Sequence, residues 1–188
     1  MAQVKLIEFL SLLIPAPENL ALVVALFDHK LLKRGDFVLK KGELCTGFYF
    51  VESGHLRTYY EKEGVQINVQ FHLEGDITSD YKNGKAGQPS EFAIAAGEKS
   101  EIWILSSKKL LELCRTHPEI VFFGKRLLIH MLMDYNSQSL IARIYSPRER
   151  YQYMEKNNPR LLQRVSLSNL ASYLGMTRRT LTRIRAQK

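Results

Sequence analysis

Three arginines stand at positions 178, 179 and 183, with threonines at 177 and 180, near the end of the sequence. A guanidinium offers two parallel N–H donors that match the O6 and N7 acceptors of guanine. Threonine hydroxyls beside the positive end of a helix suit phosphate oxygens. At about 100° per residue, Arg179, Thr182 and Arg183 share one helix face, with Arg178 beside them in the first turn. Leu181 and Ile184 share the opposite face. The chemistry open to this set is reading a nucleic-acid duplex by charge and hydrogen bonding.

Such a face needs a second helix to hold it. In VSLSNLASYLGMTRRTLTRIRAQK, Ser166 can cap a helix in which Leu167, Leu170, Ala171 and Leu174 recur at i, i+3, i+4 and i+7. Ala171 is small where another helix crosses closely, Gly175 supplies a positive φ at the turn, and Thr177 caps the second helix. Upstream, Ser146-Pro147-Arg148-Glu149 reads as a capping box with proline at the first helical position. From Lys108 the pattern is already helical, with a first short helix ending near His117-Pro118. The 28 residues before Pro147 contain no breaker, and as a helix they span about 42 Å. Ile120, Val121, Phe122, Phe123, Leu127, Leu128, Ile129, Met131, Leu132 and Met133 make the first half of that helix apolar nearly all round. One face needs the preceding domain, and a second copy of the helix is the simplest cover for the rest.

Between Gly35 and Ser106 the pattern is different. Segments rich in β-branched and aromatic residues at 37–39, 47–52, 55–61, 65–72, 91–96 and 100–105 read as strands, punctuated by Gly42, Gly54, Gly64, Gly75 and Gly97. Ser53-Gly54 and Glu63-Gly64 read as hairpin turns. The stretch 80–89 is a loop or short irregular helix and the place expected for a ligand. Ahead of the strands, apolar residues cluster at helical spacing up to about Arg34, and Pro17 opens a second helix through 19–27.

Charge follows the same division. Residues 1–146 hold 17 Lys/Arg against 17 Asp/Glu, whereas residues 147–188 hold ten basic residues against Glu149 and Glu155, and so carry the full net charge of +8. A neutral body with a basic end segment is the electrostatic footprint of a nucleic-acid binder. Cys45 and Cys114 lie far apart, so no disulfide framework, zinc site or iron–sulfur site is indicated. Glu8 interrupts the apolar stretch 4–14, which reads as a surface helix rather than a signal peptide, and no apolar run is long enough for a membrane span. His29, His55, His72, His117 and His130 are scattered, without the clustered ligands of a cupin-type metal site, and no nucleophile-elbow or phosphate-loop pattern occurs. The expectation is therefore not an enzyme.

On the stretches GDFVLKKGELCTGFYFVESGHLRTYY, FHLEGDI and LASYLGMTRRTLTRIR, with the long helix between them, the chain resembles the Crp/Fnr family of bacterial transcription regulators. The resemblance covers nearly every residue. It implies an α+β fold: an antiparallel β-roll (jelly-roll) effector domain with N-terminal helices at 1–117, a long dimerisation helix at 118–145, and a small all-α helix-turn-helix DNA-binding domain at 146–188. It further implies a cytoplasmic homodimer on a two-fold-related double-stranded DNA site, with RNA polymerase as a further partner and no membrane. Arg178, Arg179 and Arg183 match the family's base-reading positions, and Thr177 and Thr180 its phosphate-contacting ones. In the best-known member a glutamate stands at the position of Arg179, so the same operator is not implied. The family adds a β-hairpin wing, whereas only Ala186, Gln187 and Lys188 follow Arg185.

Members that bind cyclic nucleotides use a glutamate on the ribose and an Arg-Ser pair on the phosphate. Here those positions fall at Asp80, after Ser79, and at Pro89-Ser90, and proline supplies neither charge nor amide donor. The expectation is a chain that does not bind cyclic AMP in that manner, with no cofactor and an unknown small-molecule effector still open. Tyr135 and Asn136 of the long helix would line the same pocket, or else stand along a dimer seam. A ligand-binding or protein-interaction module with a degenerate DNA-binding domain is the alternative reading.

Overall fold

The structure is a computed structural model that describes residues 3–14 and 16–187; the side chains of 134–143 lie outside that description. Helices α1 (Val4–Leu13) and α2 (Pro17–Val24) precede a run of strands, β1 (Phe27–Leu32), β2 (Phe37–Leu39), β3 (Gly47–Ser53), β4 (Leu56–Lys62), β5 (Val65–His72) and β6 (Ile77–Thr78). A short α3 (Tyr81–Lys85) leads to β7 (Ala93–Ala96) and β8 (Ser100–Ser106). Helices follow: α4 (Ser107–Thr116), a 3-10 turn at Pro118–Ile120, α5 (Val121–Ile144), α6 (Pro147–Asn157), α7 (Pro159–Arg164), α8 (Leu167–Tyr173) and α9 (Arg178–Ala186).

The strands form two antiparallel four-stranded sheets, ordered β1-β8-β3-β6 and β2-β7-β4-β5. Except for the β4–β5 hairpin, consecutive strands switch sheets, as in a jelly roll. The two-residue period of β3 and β8 builds two cores at once. Phe48, Phe50, Trp103 and Leu105 join a core with α1, α2, α4 and α5. Tyr49, Val51 and Ile102 instead meet Leu39, Leu56 and Ile94 between the sheets. Glu52 is buried here, and its carboxylate accepts from Trp103 Nε1 at 3.2 Å and from the amides of Lys5 and Leu6 at 2.9 and 3.1 Å. An acceptor at the positive end of α1 ties that helix to the sheet.

Two sequence expectations need correction. The second helix ends at Val24, and Phe27 opens β1, which pairs with β8 along its whole length. Only Phe27 and Leu32 of β1 are buried, so the alternation that identifies a strand is missing and the pairing is purely tertiary. Ser53-Gly54 joins strands of different sheets, while Glu63-Gly64 is the β4–β5 hairpin turn, with both residues at positive φ (53° and 74°). Strand β6 and helix α7, both short, were not expected.

The first turns of α5 bury Phe123 and Leu127 against α1 and the sheet, with Ile120 beside them. Phe122, Ile129, Leu132 and Met133 stay more than half exposed. The Ser146 capping box is formed in full: Ser146 Oγ accepts from the Glu149 amide at 3.4 Å and the Glu149 carboxylate accepts from the Ser146 amide at 2.8 Å.

The helical half packs against β5. Phe71 of that strand lies in the apolar cluster of α6–α9, beside Met154, Leu161 and Leu174, with its ring centre 5.2 Å from that of Tyr173. Arg164, at the end of α7, donates to both oxygens of Glu74 at 2.9 and 2.8 Å. The same guanidinium donates to Glu98 Oε1, from Nε at 3.1 Å and from Nη2. Behind this group the buried His55 Nδ1 lies 3.4 Å from Glu98 Oε1. Burial raises the pKa of Glu74 and Glu98, but the Arg164 hydrogen bonds and charge outweigh it, with Lys5 adding to the effect at Glu74 and His55 at Glu98. Both carboxyls therefore titrate below the usual range. Burial lowers His55, only partly offset by Glu98, and burial takes His72 of β5 down to about 3.

All four shifts are depressions, so their stabilisation is complete above the unfolded-state pKa values and is lost as pH falls through the folded ones. The urea midpoint is expected to fall between pH 7 and pH 4, and Arg164→Gln to make that fall shallower by releasing Glu74 and Glu98. An equal midpoint at both pH values, or an unchanged pH slope in the variant, contradicts this.

Candidate nucleic-acid interface

The last two helices are built from their caps inward. Ser166 Oγ accepts from the Asn169 amide at 3.2 Å and starts α8. Leu170, Ala171 and Leu174 turn to the helical core. At its other end, the Gly175 amide donates to Ser172 O at 3.1 Å and the Met176 amide to Ala171 O at 3.0 Å, with Gly175 at φ 63°. This paired closure satisfies the last carbonyls of α8 and turns the chain into the next helix. A β-carbon on Gly175 would stand 3.0 Å from Arg150 Nη1, the mobile end of a long side chain, so it is the positive φ that reserves this position for glycine. Thr177 Oγ1 then accepts from the Thr180 amide at 3.1 Å and starts α9.

Leu181 is fully buried and Ile184 half-buried against the same core. The opposite side of α9 is open: Arg178, Arg179, Thr182 and Arg183 are exposed and line one continuous surface with Thr180 and Ala186. Arg179, Thr182 and Arg183, with Arg178 beside them, are thus together; the three arginines reach outward, while the Thr182 hydroxyl donates to Arg178 O at 3.0 Å. The two threonines differ from that expectation in one respect. Their hydroxyls bond each other at 2.9 Å, and Thr180 is half-buried. One hydroxyl proton is used between them, which leaves one for an outside acceptor.

The second residue set lies within the β-roll. Ser79 Oγ donates to Gly47 O at 2.8 Å. Asp80 is buried and accepts from Asn83 Nδ2 at 3.0 Å. Ser90, also buried, donates its hydroxyl to Phe92 O at 2.9 Å, while Pro89 is exposed. Its backbone pairs with Gly42 and Glu43, which closes the loop on itself. Buried Tyr49 points its hydroxyl to within 3.8 Å of Cys45 Sγ. Burial and then the negative potential of Cys45, Glu43 and Asp80 push that phenol far above its ordinary pKa. Helix α3 lies so close that a β-carbon on Gly84 would meet Cys45 O at 2.2 Å. Lys82 and Lys85 are exposed, with Lys85 Nζ 5.9 Å from the centre of the Tyr81 ring. The side chains of Tyr135 and Asn136 lie outside the described residues.

Three residues at the junction were absent from the sequence reading: Glu74, Glu98 and Arg164. Their separations of 66 and 90 positions leave no local signal. Asn68, buried and polar in the middle of β5, is one of four polar residues alternating along that strand, so its type alone did not mark it as covered. Among the described residues no group of three or more His, Cys, Asp or Glu side chains stands close enough to hold a metal ion. Nor is any described helix long and apolar enough to cross a membrane.

Residues 29–117 match the family model described as the cyclic nucleotide-binding domain. No curated protein sequence is significantly similar to the chain. Among solved structures, FixK2 from Bradyrhizobium japonicum is similar at 18% identity and TM-score 0.71, over 86% of this chain and 83% of that one. The c-di-GMP responsive global regulator CLP of Xanthomonas campestris is similar at 17% identity and TM-score 0.67, over 92% and 91%. A regulator from Eubacterium rectale, described as of the crp/fnr family, is similar at 18% identity and TM-score 0.65, over 92% and 82%. Residues 29–117 are therefore similar to the cyclic nucleotide-binding domain, and the chain as a whole has the fold seen in the Crp/Fnr-type regulators.

Proposed function

We propose that this chain is a sequence-specific, double-stranded DNA-binding transcription regulator that acts as a homodimer in the cytoplasm. The observation that carries the reading is the open face of α9. Arg178, Arg179 and Arg183 project from a helix whose other side is locked by Leu181, and the segment that holds them carries the whole net charge. A helix presented in this way enters the major groove, where arginine pairs with guanine; the remaining Thr177 or Thr180 hydroxyl proton suits a phosphate oxygen. The exposed apolar side of α5, from Phe122 to Met133, supports pairing with a second copy, which would set two α9 helices on one duplex. RNA polymerase is the further partner for such a regulator.

The β-roll is proposed not to bind cyclic AMP through a phosphate clamp. A buried phosphate needs a fixed cation. Pro89 stands where an arginine would be needed, the Ser90 hydroxyl is already bonded to Phe92, and Glu43 and Asp80 set a negative potential at Tyr49. The effector, if the domain has one, is of different chemistry.

Replacing Arg179 and Arg183 with alanine is expected to leave the dimer intact in sedimentation. Specific DNA binding should weaken by about 1–3 kcal/mol for each arginine lost, roughly 5- to 150-fold. Unchanged affinity in the double variant contradicts the reading. Calorimetry with cyclic AMP is expected to give no binding at micromolar concentration; a micromolar Kd would require a cation supplied in a way these residues do not indicate.

A further inference from the structure

Strand β5 lies at the end of its sheet, after β4, and among the described residues no strand pairs with its outer side. Open edges of this kind recruit other chains unless they are covered. Here the cover is α8. The Asn68 amide donates outward to Ser172 Oγ at 3.0 Å, and that hydroxyl donates in turn to Gln66 O at 3.2 Å. One serine side chain thus takes the place of a neighbouring strand's amide and carbonyl. Asn169, one turn earlier on the helix, accepts from Asn68 Nδ2 at 3.5 Å, and Tyr173 sets its ring edge against Phe71. Asn169, Ser172 and Tyr173 recur at i, i+3 and i+4, so they form one face of α8.

The other face of that short helix carries Leu170, Ala171 and Leu174, which meet Leu181 of α9. The chain of contacts is continuous from the edge of β5, through α8, to the helix that bears the arginines. A second anchor lies at the N-terminal approach to α8. Arg164 stands just ahead of the Ser166 cap, and its planar donors are shared between Glu74, beyond the end of β5, and Glu98, between β7 and β8. Glu74 is itself held by the Gly54 amide at 3.1 Å. A fork-shaped donor on two carboxylates fixes direction as well as distance, which a lysine would not do. Two anchors on one short segment, one at its start and one along its flank, remove its freedom to rotate.

We propose that Ser172 and Arg164 are positioning residues that clamp α8 to the edge of β5 and to the Glu74–Glu98 pair, so that the β-roll sets the direction in which the Arg178–Arg183 face points. The coupling to DNA rests on the DNA-binding reading above; the clamp itself does not. Neither residue lies on the open face of α9; Arg164→Gln removes one positive charge, whereas Glu74→Gln with Glu98→Gln removes two negative ones, so weaker binding in both variants reports orientation rather than charge.

The test uses the full chain with Arg164→Gln and Ser172→Ala combined, and separately Glu74→Gln with Glu98→Gln from the β-roll side. Amide hydrogen exchange is followed by NMR at Asn68, with Phe50 and Val51 as core controls, and affinity for one duplex is measured by fluorescence anisotropy. In the wild type the Asn68 amide is expected to be protected. Both variants should exchange it at least tenfold faster while the core controls stay protected, and both should bind the duplex at least fivefold more weakly. An Asn68 amide that exchanges in the wild type as in a free peptide overturns the clamp. Variants that free this amide yet bind DNA within twofold of the wild type overturn the positioning role. A protected wild type that binds no duplex overturns the DNA-binding reading and with it the coupling, while the exchange result still establishes the clamp.

Discussion

Strand β5 has one neighbour in its sheet, and the hydrogen-bonding groups along its other side must be satisfied from outside it. The rest of the molecule is arranged around that requirement. Ser172 meets it on one helix, Arg164 reaches from the preceding helix to the carboxylates at either side, and Phe71 enters the helical core from the strand. A helical half of this size has little core of its own. An aromatic side chain supplied by the sheet enlarges it, and the same contact gives the two halves a defined relation.

The second constraint is that each short helix of the C-terminal segment serves two surfaces. Helix α8 faces β5 on one side and α9 on the other; α9 faces α8 and α6 on one side and solvent on the other. Side chains at i, i+3 and i+4 divide these duties cleanly, and the closure at Gly175 keeps the two helices in register. Charge follows the same logic. The basic residues sit on the outward surface of a segment joined to a neutral body, so the positive potential is concentrated where the arginines project.

The parts legible in the sequence were those whose signals are local. The Ser146 capping box, the Ser166 and Thr177 caps, the Gly175 turn and the positions of Leu181 and the arginines all follow from residue type and spacing, and each is found as read. The central strands were legible for a similar reason, since β3 and β8 are apolar on both sides. Strand β1 was not, because only its two ends are buried and its pairing with β8 is a contact across 68 to 78 positions that no local pattern records. The Arg164 cluster escaped for the same reason: Glu74, Glu98 and Arg164 each look like ordinary surface charges until the chain is folded. The sugar and phosphate positions of the β-roll were placed by resemblance. In the structure Ser79 donates to Gly47 O, Asp80 accepts from Asn83 and Ser90 donates to Phe92 O.

The central claim is that the open face of α9 reads a specific duplex sequence as one half of a two-fold pair. The most direct measurement is selection of bound duplexes from a random pool by the purified protein at a stated near-physiological salt concentration. The account predicts enrichment of a palindrome whose half-sites lie about one helical turn apart and contain guanines opposite the arginines. Binding that is purely salt-sensitive, with no sequence enriched above the starting pool, would contradict it.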